Sequence, residues 1–169
     1  DEAADCYRRA VERKPDFAGA HVNLGNALRE LGRLQEADAC FRSALTLRPD
    51  LAEAHCNLGS LLKDQGALAD AAASFTRAIE LAPELSAAYS NLARVREAQE
   101  DFASAAHLYR KCLRLQPDRV LGELRILTMC PTVFSGNPAI DEYRARLKSG
   151  LRAFADRLTR ASLEDVAAI

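Results

Sequence analysis

The sequence has no tryptophan, a single methionine and almost no net charge. Its 169 residues carry 23 Lys and Arg against 24 Asp and Glu, so no excess of positive charge favours nucleic acid or an anionic membrane. No apolar run approaches the roughly 18 residues that span a bilayer, and no signal-peptide pattern is visible. We therefore expect an intracellular, cytoplasmic protein, long enough for one domain with a core.

Motifs of catalysis and metal binding are also missing. The sequence has no G-x-G-x-x-G, no phosphate-binding P-loop, no G-x-S-x-G and no H-E-x-x-H. His21 and His55 are 34 residues apart and lack further ligands, and Cys56 has no base or orienting acid with it. We predict no catalytic residue, no cofactor and no metal site, so this chain is not an enzyme by itself.

The cysteines form no C-x-x-C pair and are odd in number. They are Cys6, Cys40, Cys56, Cys112 and Cys130. We interpret them as reduced thiols that fill small core sites, with a disulfide framework or a zinc site as the alternatives.

A regular period of 34 residues runs through most of the chain. Each period holds two amphipathic helical patterns, which we call its first and second helix. The period is carried by Pro15, Pro49, Pro83 and Pro117, by Leu24, Leu58 and Leu92, by Ala37, Ala71 and Ala105, and by Tyr7, Phe41, Phe75 and Tyr109. The prolines stop each second helix, because proline cannot continue it.

Small and acidic residues mark the turns and the close helix contacts. Gly32 and Gly66 separate the two helices of their units, where a left-handed residue can end the first helix. Asp16 and Asp50 stand near the next helix start, where a carboxylate can accept backbone N–H groups. Gly25 and its equivalents let helix backbones approach closely.

This pattern resembles the tetratricopeptide repeat, a family of antiparallel helix pairs. We predict an all-α solenoid with a half repeat at 1–17, full repeats at 18–51, 52–85 and 86–119, and a non-repeat segment at 120–169. His21, His55 and Tyr89 stand where the family often has tryptophan. Ala93 and Glu100 replace two usual glycines, so we expect the last repeat to turn differently. The resemblance implies that the first helices line a concave surface.

The segment 120–169 departs from the period. We predict a capping helix, a loop at 130–138, a helix from Pro138 to about Arg160 and a short last helix. The apolar stripe of the long helix is Ile140, Tyr143, Leu147, Leu151, Phe154 and Leu158. Its basic residues are Arg144, Arg146, Lys148, Arg152, Arg157 and Arg160, which form either a solvated face or a partner-facing surface.

The stretch ILTMCPTVFSGNPAIDEYRARLKSGLRAF (126–154) resembles the linker between the repeats and the catalytic region of bacterial glycosyltransferases of the O-GlcNAc transferase (Spindly) family. The only methionine is Met129, and the chain opens in helical rhythm, so we expect a fragment of a longer protein. The resemblance implies a substrate-recruiting arm whose catalytic domain lies outside this chain. The alternative is a free-standing scaffold or adaptor that assembles other proteins.

An asparagine recurs in each first helix, beside the buried leucine. We predict a concave peptide-binding face formed by Asn23, Asn26, Arg29, Asn57, Ser60, Lys63, Asn91 and Arg94. Repeated amides can pair with the backbone of an extended polypeptide, as in the asparagine ladder of the O-GlcNAc transferases. They can instead bond to the neighbouring repeat or face solvent, and all three readings stay open. We also expect self-association through the half repeat, whose apolar face lacks a first helix.

Overall fold

The structure, a computed structural model, describes residues 2–116, 142 and 145–156. Within these ranges the protein is all-helical and contains no strand. The helices are α1 (Glu2–Arg13), α2 (Ala18–Glu30), α3 (Leu34–Leu47), α4 (Ala52–Asp64), α5 (Leu68–Leu81), α6 (Ser86–Ala98) and α7 (Phe102–Leu115). The first helices α2, α4 and α6 begin at intervals of 34 residues, as do the second helices α3, α5 and α7.

The turn between first and second helix is the same in all three pairs. Gly32 and Gly66 have φ angles of 74° and 79°, and Glu100 has a φ of 60°. The backbone N–H three residues after the last helical position closes a six-residue bond in each case, as from Asp101 to the carbonyl of Arg96 at 2.9 Å. The expectation that the last repeat turns differently is therefore wrong. Glu100 takes the left-handed conformation despite its Cβ.

The turn after each second helix is set by proline. Arg48 precedes Pro49 and has the extended angles φ −141° and ψ 91°, and Ala82 precedes Pro83 with nearly the same angles. The proline ring disfavours helical angles at the residue before it, so the helix ends there.

Aspartate caps appear at a different turn from the one we expected. The residues that cap α2 and α4 are Phe17 and Leu51, with no side-chain hydrogen bond, and the neighbouring Asp16 and Asp50 are exposed. The one described helix with a side-chain cap is α7, where Asp101 accepts from the N–H of Ser104 at 3.1 Å. A carboxylate beside a helix start in the sequence therefore did not identify the cap.

Aromatic rings of the second helices fill the space beside glycines of the first helices. Phe41 and Phe75 are fully buried. A Cβ added at Gly25 would lie 2.6 Å from the Phe41 ring, and one added at Gly59 would lie 2.9 Å from the Phe75 ring. These contacts fix how closely the two helices of each pair approach.

The stack is closer-packed on the side of the first helices. Each helix packs against the next along the chain, and α2 also contacts α4, as α4 contacts α6. The described second helices do not contact one another to a comparable extent. Elements that approach each other more closely lie on the inside of a curved stack, so the first helices form its inner side.

The segment at 145–156 is helical, as expected for part of the long C-terminal helix. Phe154 is buried, Leu147 is half-buried and Leu151 is 39% exposed. The predicted capping helix, the loop at 130–138, the ends of the long helix and the last short helix lie outside the described residues.

Candidate binding groove

The repeated asparagine has a different environment in each first helix. Asn23 is exposed, whereas Asn57 and Asn91 are half-buried. Asn91 lies within hydrogen-bonding reach of the Cys56 thiol in the preceding first helix. The residue 34 positions before Cys56 is Val22, which offers no hydrogen bond. One repeated residue therefore has three different neighbourhoods.

Two amide atoms in this region are buried without a partner. Asn57 Nδ2 and Asn26 Oδ1 have no hydrogen bond within the described part of the chain. One atom is a donor and the other an acceptor. A buried polar atom left in this state costs about 1–3 kcal/mol. Both atoms are covered in the free protein, so an added group reaches them only when neighbouring side chains move.

The positions equivalent to Asn26 carry different chemistry. The hydroxyl of Ser60 donates to the carbonyl oxygen of Cys56 at 3.1 Å, within its own helix. Arg94 is exposed. The inner face therefore changes from an amide to a hydroxyl to a cation along the stack.

The row equivalent to Arg29 changes sign. Arg29 and Lys63 are half-buried, and Lys63 Nζ lies 3.3 Å from the carboxylate of Asp64. The third member is Glu97, whose carboxylate accepts a hydrogen bond from the Tyr109 hydroxyl at 2.7 Å. The groove thus has basic residues in its first two helices and a fixed carboxylate in the third.

The Cys56 thiol lies within this charge pattern. Burial raises its pKa, while the hydrogen bond with Asn91 and the positive charge of Arg29 act in the opposite direction. The raised pKa keeps the thiol protonated at neutral pH, which does not suit a nucleophile.

The histidines fix the turns that precede the first helices. His21 Nε2 lies 2.8 Å from the carbonyl oxygen of Pro15, and His55 Nε2 lies 3.0 Å from that of Pro49. The equivalent Tyr89 is buried, with the ammonium of Lys111 6.0 Å from its ring centroid. These contacts give the histidines a structural role.

Three other cysteines of the described residues lie in varied settings. Cys112 is buried, Cys40 is half-buried and Cys6 is exposed. Residues 2–116, 142 and 145–156 contain no group of three His, Cys, Asp or Glu side chains that could hold a metal ion. Within the same ranges no helix has the length and apolar character needed to cross a membrane.

A cavity of about 270 Å³ opens where α2 and α4 begin. Its lining includes Asn23, which we predicted, and Phe17 and Arg48, which we did not. The period offered a signal for Phe17, an aromatic ring where the equivalent positions hold Leu51 and Leu85. Phe17 is 52% exposed, whereas both leucines are half-buried.

Solved structures similar to this chain share its fold. MamA 41-end from Desulfovibrio magneticus RS-1 has a TM-score of 0.76 and 20% identity, covering 95% of this chain and 85% of that one. YrrB, described as a TPR protein with an unusual peptide-binding site, has a TM-score of 0.68 and 21% identity, covering 74% and 64%. The Arabidopsis OM64 TPR domain has a TM-score of 0.62 and 21% identity, covering 64% and 93%. No curated protein sequence matches the chain.

Family models described as tetratricopeptide or TPR repeat match residues 6–39, 25–66, 52–85 and 86–119. The two last matches each enclose one first helix and the second helix that follows it. Together the four matches span 6–119, well over half of the sequence, and the chain therefore belongs to the tetratricopeptide repeat proteins.

Proposed function

We propose that the inner face of α2, α4 and α6 binds an extended polypeptide, and that the protein acts as a protein-binding module. The observation that carries this proposal is the pair of buried, unpartnered amide atoms, Asn57 Nδ2 and Asn26 Oδ1. A peptide backbone supplies both a C=O acceptor and an N–H donor, so it can satisfy both atoms once the side chains that cover them move aside. Each such hydrogen bond contributes about 0.5–1.5 kcal/mol to binding.

Under this proposal, recognition through backbone pairing depends little on the ligand's sequence. Side-chain preference then comes from the flanking charges, with Arg29 and Lys63 at one end and Arg94 and the fixed Glu97 at the other. Asn23, Ser60 and Asn91 complete the proposed lining. The mixture of Lys63 with Asp64, and of Arg29 with Glu30, does not favour a strongly positive clamp for a terminal carboxylate.

The comparison with YrrB adds support by analogy of fold, since that protein is described as having a peptide-binding site. The identity of 21% carries the fold and not the ligand. We assign no catalytic role to the chain.

The test is to select binders from a random peptide library and to measure their affinity for Asn57→Ala. We expect the affinity to fall about 2- to 10-fold, as for one lost hydrogen bond. The free energy of unfolding should not fall, because Nδ2 loses no partner. Asn91→Ala is the matched variant, and it should lower stability because it removes the contact with Cys56. Unchanged affinity together with lower stability in Asn57→Ala would show that the amide serves packing between repeats.

A finer proposal places the module in an O-GlcNAc-transferase-like glycosyltransferase. It rests on the resemblance at 126–154, of which the structure describes 142 and 145–154. None of the matches reported above is a glycosyltransferase. Reading the gene beyond Ile169 tests the proposal, and a stop codon soon after that position would contradict it.

The second candidate is a scaffold that also associates with itself. It is favoured by the exposure of Tyr7, at 37%, although its equivalents Phe41 and Phe75 are fully buried. Phe17 adds a second exposed ring near the same end of the chain. Light scattering over a range of concentrations measures the association, and a strictly monomeric chain at high concentration would argue against it.

A further inference from the structure

One position of the 34-residue period holds an arginine in three of the second helices. Arg8, Arg42 and Arg110 occupy the same place in the 34-residue period. Arg8 pairs with Asp5 at 2.5 Å, and Arg42 pairs with Asp38 at 2.6 Å, each within its own helix. Arg110 has no such pair in the described part of the protein.

The α5 helix follows the same rule by a small shift. Its equivalent position holds Thr76, and the next residue, Arg77, pairs with Glu80 at 2.9 Å. At this place of the period, or one residue later, α1, α3 and α5 thus each hold an arginine paired within its own helix. These pairs limit the charge that the three helices present to a partner.

The α7 helix concentrates positive charge instead. Its sequence FASAAHLYRKCLRL contains no carboxylate, so its cations have no acidic neighbour within the helix. Arg110 and Arg114 are both exposed and lie four residues apart, a spacing at which like charges destabilise a helix. Lys111 is half-buried near the Tyr89 ring, so the exposed cations are the two arginines. The helix dipole favours cations near the C-terminus and offsets this repulsion, so α7 folds with two exposed guanidinium groups, unpaired within the described residues and available to a partner.

These arginines border a groove with an apolar component. Its volume is about 510 Å³, and its lining includes His107, Arg110, Leu113 and Arg114. Leu113 is half-buried, and His107 is exposed. Cations beside an apolar side chain suit a ligand that combines carboxylates with an apolar group.

We propose that this outer groove of α7 binds a short acidic segment of a partner protein. Four residues of helix place the two arginines about 6 Å apart along the axis. Alternate residues of an extended chain are about 6.5 Å apart and point the same way, so carboxylates two residues apart match both guanidinium groups. Leu113 then contacts an apolar side chain of the segment.

A longer polyanion fits this surface less well. The neighbouring unit carries exposed carboxylates at Asp70 and Glu84, which would repel an extended run of negative charge. Charge complementarity therefore favours a short peptide over a nucleic acid strand. The groove lies on a second helix, so the proposal goes beyond the inner groove and does not depend on it.

The test uses a fluorescein-labelled peptide with glutamates at alternate positions around one leucine, and measures fluorescence anisotropy. In the double variant Arg110→Gln/Arg114→Gln we expect binding to weaken about 3- to 10-fold, since two exposed ion pairs are lost. The matched control, Arg42→Gln/Arg77→Gln, removes the same charge from paired positions and should leave the affinity unchanged. Circular dichroism establishes that both variants are folded.

Several results would overturn the proposal. An unchanged affinity in the α7 variant, or an equal loss in the matched control, would show that the groove has no specific role. Tighter binding of a single-stranded oligonucleotide, or of phosphatidylserine vesicles, would show that the ligand class is wrong. Asn57→Ala should leave binding of the acidic peptide intact, which separates this proposal from failure of the inner groove.

Discussion

The substitution Gly25→Ala should destabilise the protein, although alanine is the better helix former. Gly25 lies inside α2, and an added Cβ would lie 2.6 Å from one carbon of the Phe41 ring and 2.9 Å from another. Real Cβ atoms do not come this close to a neighbour, so something must move. Phe41 is fully buried, and the ring cannot turn out into solvent. The helices α2 and α3 must therefore separate.

The expected magnitude follows from two opposing terms. Alanine in place of glycine inside a helix gains about 0.5–1 kcal/mol. Overpacking a close-packed core costs about 1–3 kcal/mol, and the short contact at Gly25 favours the upper part of that range. The free energy of unfolding should fall by about 1–2 kcal/mol, which lowers the melting temperature by about 2–8 °C.

The same substitution at Gly19 provides the control. Gly19 lies in the same helix, and its added Cβ would meet the Phe17 ring at 3.2 Å. That ring is 52% exposed and can turn away, so the gain in helix propensity should prevail. Urea unfolding followed by far-UV circular dichroism measures both variants. If Gly25→Ala raised the unfolding midpoint as much as Gly19→Ala, the close contact with Phe41 would not be what limits helix approach. Phe41→Leu combined with Gly25→Ala should recover part of the loss, because it removes the ring that the new methyl meets.

Three further predictions concern single side chains. In the same unfolding assay, the Glu100→Gly variant should be more stable than the Glu100→Ala variant by about 1 kcal/mol. Both variants lose the glutamate side chain, but only glycine relieves the strain of the left-handed backbone conformation. Equal stability of the two variants would refute this. The pKa of Asp101 is lowered by its hydrogen bonds to Ser104, so its contribution to stability is present above the ordinary value of 3.8 and is lost as the pH falls through the folded value. The melting temperature of Asp101→Ala should therefore lie below that of the unmodified protein at neutral pH, and the gap should close in strong acid; a gap independent of pH would contradict the cap. Burial raises the pKa of Cys56, so iodoacetamide should modify Cys56 far more slowly than the exposed Cys6 until urea unfolds the chain. Mass spectrometry measures both rates of modification. Equal rates in the folded protein would count against the burial of Cys56.

The 34-residue period predicted the all-helical fold because each unit packs the same positions against its neighbours. A leucine, an alanine or an aromatic residue that recurs every 34 positions does so because each unit buries the same face. The left-handed turns were identified by Gly32 and Gly66, since glycine carries a preference for that conformation. Glu100 carries no such signal, and its turn is imposed by the packing of α6 on α7. A tertiary constraint of this kind overrides local preference and cannot be read from the residue itself.

The sequence predicted which residues share a row but not their hydrogen bonds. The row contains Asn23, Asn57 and Asn91 at equal spacing. If position in the period alone determined hydrogen bonding, all three amides would have equivalent partners. Their partners come from the preceding first helix, which offers Val22 in one case and Cys56 in another. Hydrogen bonding between repeats therefore depends on residues about 35 positions earlier, whose identity the period does not fix.

This dependence on the preceding helix locates the strongest binding position within the groove. Asn91 already has the Cys56 thiol within reach, so a ligand that bonds to it must replace an existing interaction. Asn23 is exposed to solvent, so the exchange of water for a ligand there yields only a modest net gain. Asn57 has a buried N–H without a partner in the described residues, and a ligand carbonyl that reaches it when the covering side chains move removes a penalty that the free protein already carries. Of the three asparagines, Asn57 is therefore the one whose bond to a peptide contributes most to affinity.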